Sequence, residues 1–251
     1  MKIAIAGGTG TVGRLVVDEA HARGHEAVVL TRSNGVDLTT GAGAESALAG
    51  VEVVIDVLNL TTMNKDEAVS FYETTTRNLL AAEALAGVAQ HVALSIVGID
   101  TSPSGYYEGK LAQERAVKAG GVPWTILRAT QFHEFAPQMF ATLRRGPVMP
   151  IPVMATQPVA AREVAGMLVD LAEAAAQYST VQLAGPAPEK LVDMVRSYGR
   201  ATGQKVLYVP LRLPGASMVA MRDGTLLPSG EYRTGRESYA QWLERVTTRS
   251  A

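Results

Sequence analysis

The stretch Lys2-Ile3-Ala4-Ile5-Ala6-Gly7-Gly8-Thr9-Gly10-Thr11-Val12-Gly13 decides the fold. Its opening residues form a continuous apolar run, which is how a parallel strand covered on both faces reads. Residues 11–23 then carry Val12, Leu15, Val16, Ala20 and Ala22 at close to helical spacing, and Gly24 supplies a stop. Strand, glycine turn and helix in that order assign each glycine a role. Gly7 permits the tight turn, Gly10 lets the backbone approach a pyrophosphate, and Gly13 lets the helix sit close to the strand. Thr9, Thr11 and Val12 complete the turn, and the phosphates rest on the free N–H groups and positive dipole end of the helix. Without its flanking elements the same triplet describes only a flexible turn; with them it points to a dinucleotide site.

The rest of the chain alternates in the same way. With 251 residues, 47% of them hydrophobic, it is long enough for one large α/β domain or two small ones. A formal net charge of -1, with Arg144-Arg145 as the notable local basic pair, argues against nucleic acid or an anionic membrane as partner. Cysteine is absent, which excludes disulfides, thiolate metal sites and a cysteine nucleophile. Met1-Lys2-Ile3 is not followed by a signal-peptide core, and no apolar run approaches a membrane span, so a soluble, cytoplasmic protein acting on a small molecule is expected. His21 and His25 have metal-like spacing, but Gly24 breaks the helix between them and no carboxylate cluster accompanies them; no metal site is expected.

A β-rich run over 27–30 ends in Thr31-Arg32-Ser33, where a dinucleotide fold meets the adenosine ribose. An NAD-preferring site places a carboxylate there; Arg32 instead suits a 2′-phosphate, with Ser33 adding a hydroxyl, and so favours NADP(H) over NAD. The other reading of Arg32 is a solvated surface charge. Asp37-Leu38 either packs the adenine, with the carboxylate on the exocyclic amine, or Asp37 is a cap standing before the helix that follows, two readings of equal weight. The strand at 51–58 closes in Leu58-Asn59-Leu60 at the carboxyl edge of the sheet, where a crevice ligand lies. A helix over 66–86 and a strand over 91–98 follow.

Ser104-Gly105-Tyr106-Tyr107-Glu108-Gly109-Lys110 opens a helix running to about residue 119, before a strand at 124–127. Tyr106 and Lys110 are four apart, so a helix puts both on one face. An ammonium beside the phenol would lower its pKa toward the acid–base range; alternatively the pair is a surface aromatic and a solvated charge. Residues 143–158, rich in proline and glycine, suggest a substrate-side lid or arm. Helices over 162–175 and 188–201, strands over 180–183 and 205–209, a poorly periodic stretch at 212–235 with Met218 and Met221, and a docking helix over 238–246 complete the chain. The expected fold is a doubly wound parallel-sheet α/β Rossmann fold. Residues 1–130 form its nucleotide core and 131–251 a small substrate-binding part that returns to it, the two making one compact unit.

Taken together, these motifs resemble the short-chain dehydrogenase/reductase superfamily, in its atypical NmrA-like, NAD(P)-binding branch. The phosphate loop is Gly7 to Gly13, the Tyr106-x-x-x-Lys110 pair matches the catalytic pair, and Trp124-Thr125-Ile126-Leu127-Arg128 and Val159-Ala160-Ala161-Arg162-Glu163-Val164-Ala165 match further segments. The resemblance implies that Tyr106 protonates substrate oxygen and that Lys110 lowers its pKa and binds the nicotinamide ribose. It also implies a serine partner, for which Ser95 is the candidate, although Ile96 stands where many relatives carry a second hydroxyl. The loop Thr130-Gln131-Phe132-His133-Glu134-Phe135 lies toward the nicotinamide, with Phe132 or Phe135 as a ring wall and His133 as a second proton donor; Tyr107 projects toward the pocket. The activity expected is NADP(H)-dependent hydride transfer to a small carbonyl or quinone, by a monomer or homodimer. The alternatives are a non-catalytic NADP(H) sensor, or an isomerase or dehydratase without net redox change.

Overall fold

The computed structural model describes residues 1–62, 64–101 and 105–248. The nucleotide-binding half runs β1 (Lys2–Ala6), α1 (Thr11–Ala22), β2 (Glu26–Leu30), a short 3-10 turn (Arg32–Asn34), α2 (Ala44–Ala47), β3 (Val53–Asp56), α3 (Lys65–Ala86), β4 (Gln90–Ile96), α4 (Gly105–Ala119) and β5 (Trp124–Ala129). The remainder runs α5 (Phe135–Leu143), β6 (Val148–Pro152), β7 (Ala155–Thr156), α6 (Ala161–Glu173), β8 (Thr180–Ala184), β9 (Glu189–Lys190), α7 (Leu191–Ala201), β10 (Leu207–Leu211), α8 (Ala216–Asp223), β11 (Arg233–Thr234) and α9 (Tyr239–Thr248). Among the described residues, seven strands form one sheet in the order β11-β8-β5-β4-β3-β1-β2, every neighbouring pair parallel. The fold is therefore the doubly wound α/β sheet that the alternation of the sequence predicts.

From β1 the chain steps to β2 on one side and then to β3 on the other. The sheet thus has its switch point between β1 and β3, with Ala6 paired to Asp56 at the carboxyl ends. Helices leaving adjacent strands there go to opposite faces, which leaves the crevice that ligands of such sheets occupy. On one face, Val12, Val16 and Ala20 of α1 join Val164, Leu168 and Val169 of α6 over Ile3, Ile5 and Ile55. Beyond the other lie Leu30, Leu48, Val54 and Leu79. Each such fully covered Leu or Ile contributes about 1.5–3 kcal/mol relative to an exposed one.

Past residue 130 the chain divides its residues between two jobs. α6 covers α1, and β8 and β11 extend the main sheet beside β5. The rest gathers round a separate cluster of Phe140, Met149, Ile151, Met194, Tyr239 and Trp242, against which Ile96, Tyr106 and Tyr107 also lie. The proline-rich 143–158 stretch, expected as a lid or arm, is instead anchored: β6 pairs in parallel with β10, and β7 antiparallel with β9. The poorly periodic 212–235 stretch contains α8 and β11, too short to show a period. The strand expected at 205–209 lies at Leu207–Leu211, and β9 takes the first residues of the helix expected from 188. Among the described residues no helix is long and apolar enough to cross a membrane, and no group of acidic, His or Cys residues has the arrangement of a metal site.

Candidate cofactor and catalytic site

The phosphate loop is made by contacts that only glycine allows. Gly7 has φ +83°, and a Cβ there would stand 2.8 Å from the carbonyl oxygen of Val57 on the neighbouring crevice wall. At Gly13 a Cβ would come within 2.1 Å of the Gly7 oxygen, so loop and helix touch backbone to backbone. Gly10 differs: a Cβ there would meet only the Gly7 oxygen at 3.3 Å, and the other side is open. Gly10 is the N-cap of α1 in extended conformation, and the first turn of α1 carries neither a side-chain cap nor an acidic residue. Thr9, Gly10 and Thr11 are exposed while Val12 is buried. Arg14 Nε donates to the Thr9 carbonyl at 2.9 Å, bracing the loop. An uncapped helix start behind a glycine-rich cradle fits a pyrophosphate.

At the end of β2, Arg32 is exposed and opens the 3-10 turn, and the hydroxyls of Thr31 and Ser33 lie 2.8 Å apart. Asp37 closes its own turn: one carboxylate oxygen accepts from Thr39 N at 2.9 Å and from Thr39 Oγ1 at 2.6 Å. Those bonds, with the charge of Arg32, hold its carboxyl below the usual range. Leu38 is buried beneath, and its carbonyl accepts from Asn78 Nδ2 at 2.9 Å.

The other end of the crevice is assembled from three elements. Asn59, exposed just beyond β3, accepts from the Tyr106 hydroxyl at 2.5 Å. Tyr72 of α3 is fully buried; its hydroxyl accepts from Leu60 N at 3.2 Å, and its ring meets that of Tyr106 edge-on at 6.4 Å. Gly109 makes this possible, because a Cβ there would lie 2.8 Å from both Ala68 Cβ and Tyr72 Cδ2. Burial raises the Tyr106 pKa, and a hydrogen bond with Tyr72 pulls it part of the way back. Here the structure corrects the expected Tyr106–Lys110 coupling. Lys110 is 3% exposed, and its Nζ turns away to the Leu94 carbonyl at 2.6 Å, to Gln113 Oε1, and over the ring of Tyr72 at 4.9 Å. The reason is competition: one helical turn brings two Cβ atoms together, but a buried ammonium goes to carbonyl acceptors before a neutral phenol. Burial lowers Lys110 to about 8, against the opposing charges of Asp56 and Glu114.

Ser95 is buried, and its hydroxyl donates to Glu114 Oε1 at 2.6 Å; that carboxylate also takes Arg128 Nε at 2.8 Å. The structure thus engages the serine in an ion-paired network between α4 and β5 and leaves no hydroxyl at the half-buried Ile96. His133, expected as a second proton donor, is fully covered between Tyr239 and Trp242 of α9, with Nε2 donating to the Glu237 carbonyl at 3.0 Å. Burial lowers its pKa, so the ring stays neutral, enclosed by the C-terminal helix and without access to a substrate. Phe132 lies half-buried against the cluster that includes Val12 and Val159, and Tyr107 is buried beside Tyr106 with its hydroxyl pushed up to about 12. Ser104 lies outside the described residues. Tyr72, Asp56, Gln113 and Arg14 were missed by the sequence reading. Asp56 alone left a signal, a carboxylate inside the apolar run at 53–57.

A family model described as NAD(P)H-binding matches residues 7–175. A protein of Streptomyces griseus subsp. griseus, (4-alkanoyl-5-oxo-2,5-dihydrofuran-3-yl)methyl phosphate reductase, is 31% identical over 144 residues, which cover 52% of this chain and 48% of that protein. The match therefore spans about half the length of that relative. Among solved structures, an NADPH-dependent quinone oxidoreductase of Escherichia coli complexed with NADPH superposes with a TM-score of 0.75 at 20% identity, covering 97% of this chain and 99% of its own. The triphenylmethane reductase of Citrobacter sp. does so with a TM-score of 0.75 at 17% identity, covering 99% of this chain and 100% of its own. At those identities the likeness is one of fold.

Proposed function

This chain belongs to the NAD(P)H-binding family, and we propose that it is an NADP(H)-dependent reductase delivering hydride to a small carbonyl or quinone, with Tyr106 as proton donor. The observation that carries this reading is the hydroxyl of the half-buried Tyr106, held by Asn59 at the carboxyl edge of β3, on the same crevice that the phosphate loop opens into. Bound reduced nicotinamide would supply the hydride, two electrons with one hydrogen, to the electrophilic carbon. The Tyr106 O–H bond then breaks, its proton going to the substrate oxygen and solvent restoring the phenol. A raised pKa keeps Tyr106 protonated near neutrality, which is the state a donor needs. Asn59 Oδ1 occupies in the free protein the acceptor place that the substrate oxygen takes. Arg32 beside Ser33 supports NADP(H), since a guanidinium forms charge-assisted bonds with a 2′-phosphate. The quinone in the Escherichia coli protein's name supports the acceptor class, and the Streptomyces relative is named a reductase of a small oxo-dihydrofuran.

The test is NADPH oxidation, followed at the nicotinamide absorbance band, against a panel of quinones and aldehydes. Tyr106→Phe lowers turnover about 100-fold or more while leaving NADPH affinity unchanged; equal turnover removes Tyr106 from the mechanism. The turn of Lys110 toward Leu94 and Gln113, and the engagement of Ser95 by Glu114, favour a second reading, a non-catalytic NADP(H) sensor. Tight NADPH binding with no oxidation by any acceptor would establish it.

A further inference from the structure

Behind Lys110 stands a carboxylate that the proposed chemistry does not use. Asp56, at the end of β3, is fully buried, and both its oxygens are engaged: one accepts from Leu58 N at 2.9 Å, the other from Gln113 Nε2 at 2.7 Å. Gln113 is 1% exposed, and its Oε1 accepts from Lys110 Nζ. The result is an unbroken chain from the backbone of the crevice edge through β3 and α4 to the ammonium. Its polarity is dictated by chemistry. An ionised carboxylate only accepts, so Gln113 must turn its NH2 to Asp56 and its carbonyl oxygen to Lys110. At its other end the same carboxylate holds Leu58, the residue before Asn59, which receives the Tyr106 hydroxyl. Packing alone does not require this, because a buried ion pair bridged by an amide is costly to desolvate and apolar side chains of similar volume would fill the space.

We propose that Asp56 and Gln113 are positioning residues of the hydride-transfer site: the carboxylate orients the Gln113 amide so that Lys110 is held against the ring of Tyr72, and it sets the backbone that presents Asn59 to Tyr106. The assignment rests on the reductase reading for its purpose, but not for its test. The groups that face Lys110 are Asp56 from β3, Glu114 from its own helix, the Leu94 carbonyl from β4 and the Tyr72 ring from α3. Asp56 in turn is felt by the buried Glu83–His91 pair, joined at 2.8 Å between α3 and β4.

The experiment is an NMR titration of 13Cε-labelled lysine in the free protein, with the Lys110 signal assigned by Lys110→Arg. The expected wild-type midpoint for Lys110 is about 8, lowered by burial. In Asp56→Asn the amide at 56 both donates and accepts, Gln113 is free to turn its NH2 on the ammonium, and the midpoint falls by about one further unit, a tenfold change in the ratio of protonated to neutral lysine. The double variant Asp56→Asn/Gln113→Glu rebuilds the chain, with the carboxylate moved one step toward the lysine. It returns the midpoint to the wild-type value or above, and turnover to within about threefold of wild type. Gln113→Leu, which removes the amide and keeps its bulk, lowers the midpoint as Asp56→Asn does and serves where that variant does not fold. An unchanged midpoint in the folded single variants, or a swapped pair no better than Asp56→Asn, overturns the assignment. The expected titration response in a protein that fails to oxidise NADPH with any acceptor of the panel removes the reductase reading and leaves the positioning pair standing.

Discussion

At the phosphate end of the crevice, β1, the three glycines and the start of α1 belong to one short stretch of chain, whereas at the other end Asn59, Tyr72, Tyr106 and Lys110 arrive from the edge of β3, from α3 and from α4. The first end is held by backbone sterics, with Gly13 against Gly7 and Gly7 against Val57. The second is held by side-chain hydrogen bonds between elements far apart in sequence. A site of the first kind tolerates no added atom where backbones touch. A site of the second kind can be tuned one bond at a time, because each acceptor has a rival.

The contrast is broken most severely at Gly13. Gly13→Ala drives a methyl into the Gly7 carbonyl, so NADPH binding should weaken beyond about 100-fold and the melting temperature should fall by several degrees, since overpacking costs about 1–3 kcal/mol or more. Gly10→Ala, by contrast, has room in the free protein. It should melt within about a degree of wild type and lose about 10–100-fold in NADPH affinity, the worth of one or two charge-assisted bonds. A cofactor titration beside a thermal melt separates the two, and equal melting losses would mean that the opening at Gly10 is not the ligand's.

Smaller effects sharpen the far end and the ribose. Arg32→Ala should weaken NADPH about tenfold and leave NADH unchanged; a wild type that binds NADH more tightly would sink the 2′-phosphate reading. Tyr72→Phe is the mildest. Its hydroxyl pulls the Tyr106 pKa down, so without it Tyr106 holds its proton more tightly. The alkaline loss of kcat, which follows deprotonation of the donor, should then move to higher pH, with kcat a few-fold lower at neutrality. Movement to lower pH would show that Tyr72 acts on Tyr106 in the opposite sense.

The local end was legible residue by residue, since Gly7, Gly10 and Gly13 owe their meaning to sterics among near neighbours. The far end was half legible. Helical spacing put Tyr106 and Lys110 on one face, but the ammonium that the pattern aimed at Tyr106 goes to Leu94 and Gln113. Ser95 was visible as a strand hydroxyl, yet its partner Glu114 sits on a helix that the strand pattern does not see. His133 stood in the right loop and is roofed by a helix that begins at Tyr239.

By itself the sequence determined the alternating α/β fold, the glycine cradle and an arginine just past the end of β2, because strand burial, helical period and the steric freedom of glycine act within a few residues. Only the tertiary structure decided which late strands join the sheet, which tyrosine stands beside Tyr106, and where the Lys110 charge goes. Those depend on competition among buried donors and acceptors brought together from distant parts of the chain, and in a low-dielectric interior an ammonium is won by the acceptors that surround it.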